Sequence, residues 1–160
     1  MIVSARTPNI NRSRVYEDIV QRLAAQSLPG TDRRLFPTIR ELLCFAAILG
    51  YSENRRTPLD RSQGVEDISY QQFEARPDAE NLIYLLALAD RQDVEVLRED
   101  NEDECARIFE EYANGGLAIV KDFLLRDGGE YPDRALMRLL RDRGYLKAVQ
   151  AEPDIGAISF

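Results

Sequence analysis

The sequence predicts an all-α protein, a single compact bundle of five to seven helices with one irregular, Arg-rich loop. Three observations predict it. Apolar residues recur at spacings of three and four along most of the chain, the period of a helix face. Helix start and stop signals punctuate those stretches. The chain has 160 residues of which 44% are apolar, enough for one core and typical of one domain. The expected organisation is an extended or disordered arm at 1–12, a helical domain at 13–150 and an irregular tail at 151–160.

The elements follow in order. Residues 1–12 are polar, contain Pro8 and show no period. Ser13 reads as an N-cap, followed by Tyr16, Ile19, Val20 and Leu23 at helical spacing, with Pro29-Gly30 as the stop. Thr38 and Glu41 fit a capping box just after Pro37. The run IRELLCFAAILG that follows is apolar on nearly every side, as expected of a helix in the middle of a bundle. Gly50 reads as its C-terminal stop, and Cys44 as a small buried apolar residue.

Residues 51–67, YSENRRTPLDRSQGVED, are interrupted by Pro58 and Gly64 and form the irregular loop. A short piece at 68–75 carries Tyr70 and Phe73. Pro77-Asp78 opens AENLIYLLALADR, whose apolar run from Leu82 to Ala89 would fit a buried strand by length; its Leu and Ala content favours helix. Val94, Val96 and Leu97 form a short connection. From Asp100 to Phe123 runs a long pattern interrupted by Asn114-Gly115-Gly116, and Gly128-Gly129 closes that element. Tyr131-Pro132-Asp133 begins a last helix, with Leu136, Leu139 and Leu140 inward and Arg134, Arg138 and Arg141 on a basic side.

Composition excludes several chemistries. Without His there are no His-based triads, His general bases or His metal ligands. Two cysteines, Cys44 and Cys105, supply no CxxC pair and no thiolate zinc site. No apolar run reaches transmembrane length, and the first residues lack the apolar stretch of a signal peptide, so a cytoplasmic protein with reduced thiols is expected.

The net charge of −7 is unevenly spread. Residues 1–61 carry 10 basic and 6 acidic side chains, residues 62–130 carry 6 and 18, and residues 131–160 carry 5 and 4. Of the 21 basic residues only Lys121 and Lys147 are lysine. Arg forms planar, two-pronged contacts with carboxylates or phosphates. The set Arg33, Arg34, Arg40, Arg55, Arg56 and Arg61 is the best candidate binding surface for protein or DNA. Its ends flank the helix at 38–49, which spans about 18 Å, so a single patch requires the 51–67 loop to fold back. The competing reading pairs these side chains with the acidic middle of the chain.

Other features read structurally. The acidic run Glu99 to Glu104 lacks the turn Gly of a calcium loop and fits a helix N-terminus. Adjacent Glu110 and Glu111 diverge by about 100° on a helix and fit a solvated face. Two glycines in a helix cost roughly 1 kcal/mol each relative to Ala. Asn114-Gly115-Gly116 therefore marks either a break or a close approach by another segment. The phosphate-binding patterns GxxxxGK(S/T) and GxGxxG are both absent.

Three stretches carry a resemblance: LLCFAAILGYSENRRTPL at 42–59, LIYLLALA at 82–89 and FEEYANGGLAIVKDFL at 109–124. Together they resemble a small bacterial family found with DNA phosphorothioation (Dnd) systems. The resemblance implies a place in a DNA-modification or anti-phage neighbourhood and brings no assigned catalytic residue. The expectation is a non-enzymatic accessory protein that binds other proteins of a phosphorothioation or restriction system, with no cofactor and no metal. The alternative is a DNA-binding regulator or modification reader using the N-terminal Arg cluster. A third reading, a carboxylate hydrolase or metal enzyme, would use Asp100, Glu104 or Glu111.

Overall fold

A 25-residue helix runs through the protein and the other elements are laid against it. The structure is a computed structural model that describes residues 8–126 and 130–147. Residues 1–7 of the expected arm, Gly128-Gly129 and the tail at 151–160 lie outside the described residues. The elements are β1 (Ile10–Ser13), α1 (Glu17–Ala24), α2 (Ile39–Ser52), β2 (Val65–Ile68), α3 (Gln71–Glu74), α4 (Pro77–Arg91), α5 (Glu102–Arg126) and α6 (Pro132–Asp142). The chain is mostly helical, with one small two-stranded sheet among the described residues.

The starts of α2 and α4 are legible. The Thr38 hydroxyl accepts from Glu41 N at 3.2 Å, the capping interaction the sequence signals. Pro77 occupies the first turn of α4, where its missing N–H costs nothing, and Gln92 ends that helix in the left-handed conformation at φ 54°. Glu102, Asp103 and Glu104 fill the first turn of α5, where the helix dipole favours carboxylates.

α5 is buried along most of its length through Ile108, Phe109, Leu117, Val120 and Leu124. Leu42, Leu43, Ala46 and Ala47 of α2 pack on one side, and Ile83, Leu86 and Ala87 of α4 on another. Phe73 of α3 meets Phe109 edge to face at 5.6 Å.

Two features differ from the sequence expectation. Residues 10–12 belong to β1, which pairs antiparallel with β2 in the register Ile10↔Ile68 to Ser13↔Val65. Two such strands are marginal alone in water. Here Ile10 and Ile68 are buried in the core, so the sheet is held by the helices. In β1 Ile10, Arg12 and Ser13 are all buried, so four residues give no clean alternation to read. The second difference is Gly50, which does not stop α2. The helix continues to Ser52, and the chain turns at Asn54, a left-handed residue at φ 53°.

Candidate functional site

Gly50 is in the helix because α5 lies too close for a side chain. A Cβ built on Gly50 would sit 2.1 Å from the Tyr112 carbonyl oxygen. The same holds across the crossing: a Cβ on Gly116 would sit 1.8 Å from the Ala46 carbonyl oxygen, and one on Gly115 would sit 1.9 Å from that of Arg55. α5 runs without interruption through Asn114-Gly115-Gly116. The three positions are where α2 and the start of the 51–67 loop rest on it.

The loop is tied down at the same place. Thr57 N donates to the Glu111 carbonyl at 3.0 Å, and Arg55 N to that of Gly50 at 2.7 Å. Asn114 Nδ2 donates to the carbonyls of Thr57 (3.1 Å) and Pro58 (3.3 Å). Arg56 joins three elements: its Nε donates to Glu111 Oε2 at 2.6 Å and its Nη1 to Asp90 Oδ2 at 2.8 Å. Tyr112 OH donates to the other Asp90 oxygen at 2.6 Å. Burial and that bond to Asp90 push the Tyr112 phenol up to about 12, so it stays a donor.

The six arginines singled out in the sequence are not gathered into one patch. Arg33 and Arg34 lie in the α1–α2 connection, with Arg34 donating to the Ala24 carbonyl at 3.4 Å. Arg40 sits at the N-terminal end of α2 and donates to the Gln72 carbonyl at 2.9 Å. Arg55 and Arg56 lie beyond the other end of α2, a helix about 21 Å long. Arg61 lines a separate cleft. The loop folds onto α5, and Arg56 takes up the internal pairing.

That cleft, about 470 Å³, lies between the chain at Pro8–Asn11 and the N-terminal half of α5. Arg61, Arg107, Asp103 and Glu110 face it. Glu110, expected on a solvated face, is buried, 6% exposed. It accepts from Asn11 N at 2.7 Å and Asn11 Nδ2 at 2.9 Å, which fastens β1 to α5. Burial raises its carboxyl above the ordinary range, against those two bonds. Glu111 is turned inward as well, to Arg56. Among the described residues no three His, Cys, Asp or Glu side chains gather into a metal-holding group. Of the carboxylates in the metal-enzyme reading, Glu104 pairs with Arg91 and Glu111 with Arg56.

A second depression, about 400 Å³, runs between α2 and α4. Cys44, Ile48, Leu82 and Leu85 line it, with Arg40, Glu41, Arg76 and Asp78 at its N-terminal end. Ile48 is 49% exposed and Leu85 60%. Cys44 is half-buried here rather than enclosed in the core, and burial pushes its thiol up to about 11. It is a groove-lining thiol that stays protonated at neutral pH. The exposure of Ile48 and Leu85 was not legible, because both stand in runs that are apolar on nearly every side.

A family model described as DNA sulphur modification system-associated protein 4 matches residues 9–157. The chain belongs to this family. Of the three stretches that carry the sequence resemblance, those at 42–59 and 109–124 form the α2–α5 crossing, and the one at 82–89 lies on α4. In this DNA sulphur modification system-associated protein, Ala46, Gly50, Gly115 and Gly116 are where two backbones meet. The family-like segments thus build the scaffold that holds the loop and both depressions. No curated protein and no solved structure matches. No helix among the described residues is long and apolar enough to cross a membrane.

Proposed function

We propose that this protein is a non-catalytic accessory component that works by binding another protein of the DNA sulphur modification system. The observation that carries the reading is the α2–α4 groove, with Ile48 and Leu85 presented to solvent beside half-buried Cys44 and Leu82. Exposed large apolar residues lining one concave strip are characteristic of helix-in-groove recognition. The fitting occupant is an amphipathic helix of a partner protein. Its apolar face would fill the strip, and a carboxylate at one end would meet Arg76 and the free edge of Arg40. Family membership makes the other system proteins the partners to test first.

The experiment is co-expression of this chain with the remaining proteins of its system, followed by affinity purification and size-exclusion chromatography. A stoichiometric complex is expected. Elution of this chain alone, with every system protein present and soluble, would overturn the reading.

A further inference from the structure

The cleft between Pro8–Asn11 and α5 is lined by charges that the protein leaves apart. Asp103, Arg107 and Glu110 recur at spacings of four and three, so they fall within about 60° of arc on one face of α5. Arg61, from the loop before β2, lines the same cleft. The other charged groups there are already engaged. Glu104 pairs with Arg91, and Asp100 stands 3.8 Å from Arg98. Among the described residues, Asp103, Arg61 and Arg107 make no hydrogen bond or ion pair.

Glu110 is the group that points to a ligand. It is 6% exposed. Its Oε1 accepts both bonds from Asn11, and its Oε2 accepts none among the described residues. The side-chain polar atoms sealed from solvent without a partner, among the described residues, are Arg12 Nε and Asn114 Oδ1. Glu110 Oε2 is not one of them, so it keeps an opening, and the open space that Glu110 borders is the cleft. Burial raises the Glu110 carboxyl and the charge of Arg61 opposes that rise, yet no ion pair joins the two. A buried carboxylate whose cation is held off is costly, and a cation in contact relieves the cost.

The cleft therefore suits a small molecule that carries a cationic and an anionic group side by side. Its volume, about 470 Å³, is within the range of small-ligand sites. No aromatic side chain among the described residues lines it, so it lacks the stacking surface that holds a nucleobase. We propose that this cleft binds a free α-amino acid, with its ammonium group on Glu110 Oε2 and Asp103 and its carboxylate on Arg61 and Arg107. Guanidinium forks match a carboxylate in two-pronged fashion, and an ammonium group brings three donors to the two acidic side chains. Glu110 also fastens β1 to α5 through Asn11, so occupancy tightens the joint between strand and helix. No residue lines both this cleft and the α2–α4 groove, so the site stands whether or not a protein partner docks there.

The test is thermal melting of the full chain with each standard L-amino acid in turn, followed by titration calorimetry of any that raises the melting temperature. An amino acid held with a Kd of about 100 µM and present at about 10 mM should raise it by about 5 °C or more. The N-acetyl derivative of that amino acid lacks the ammonium charge, and its carboxamide lacks the carboxylate. Each should bind about tenfold or more weakly than the parent amino acid. Glu110→Gln keeps an acceptor for Asn11 N and should lose about tenfold or more in affinity. Arg107→Gln, at an exposed position, should lose as much, and Arg33→Ala should lose nothing. The proposal is overturned if no L-amino acid shifts the melt at that concentration. Parent-like affinity in either cleft variant, or for either blocked derivative, overturns it as well.

Discussion

The carbonyl oxygen of Ala46 lies where the side chain of residue 116 would be, 1.8 Å from the position of a Cβ on Gly116. α2 and α5 therefore touch backbone to backbone, and the crossing admits no other residue at that position without moving a helix. Gly116→Ala is expected to destabilise the protein by about 2–3 kcal/mol, the range for forced overpacking. The gain of roughly 1 kcal/mol in helix propensity does not offset it. Urea denaturation of the variant checks this, and an unchanged midpoint would contradict the close crossing.

Arg56 bridges α4 and α5 through Asp90 and Glu111, whose side chains are 15% and 13% exposed. Removing the guanidinium leaves two poorly solvated carboxylates without a partner. Arg56→Ala should cost about 3 kcal/mol. Arg33→Ala, at an exposed site, should stay within about 0.5 kcal/mol. Comparing the two by thermal melting separates an arginine used inside the protein from one left on its surface.

Glu110 gives a dependence on pH. Its folded pKa is raised by burial, above its unfolded value. The folded state therefore holds the proton to higher pH than the unfolded state does. The contribution is fully favourable below the unfolded pKa and is lost as pH rises through the folded one. Glu110→Gln removes this loss and retains an acceptor for Asn11 N. The variant should gain stability relative to the parent as pH rises above the unfolded value of about 4.3, read from melting temperatures at successive pH values. A difference independent of pH would contradict it.

Thr38 caps α2 through Glu41 N. Thr38→Ala should cost about 1 kcal/mol, and Thr38→Ser much less. Denaturant midpoints of the two variants provide the check.

The helices were legible because their signals are local. Thr38 with Glu41, Pro77, and the acidic turn before Cys105 each act within one turn of chain. The two strands were not, since β1 and β2 are four residues each and pair across more than fifty residues of sequence. Gly50 was misread for a related reason. A glycine after an apolar run signals a stop, and only the position of Tyr112 on another helix shows that it is a contact instead. Of the candidate site, the importance of Asn114, Gly115 and Gly116 was visible from helix propensity alone. The partners of Arg56 and Glu110 were not, because Asp90 and Asn11 are distant in sequence and chemically ordinary. The α2–α4 groove left no signal, since nothing in an apolar run marks which residues remain uncovered.

In the proposed reading the α2–α4 groove, with Arg40 at its rim, receives the partner, and Arg33 and Arg34 do not. The direct measurement is the affinity of this chain for a co-purifying system protein, taken for the parent, for Ile48→Glu with Leu85→Glu, and for Arg33→Ala with Arg34→Ala. Both groove positions are exposed, so the charged pair should fold as the parent does. The account predicts at least a tenfold loss of affinity for the groove pair and no change for the arginine pair. Parent-like binding by the groove pair, with loss in the arginine pair, would contradict it.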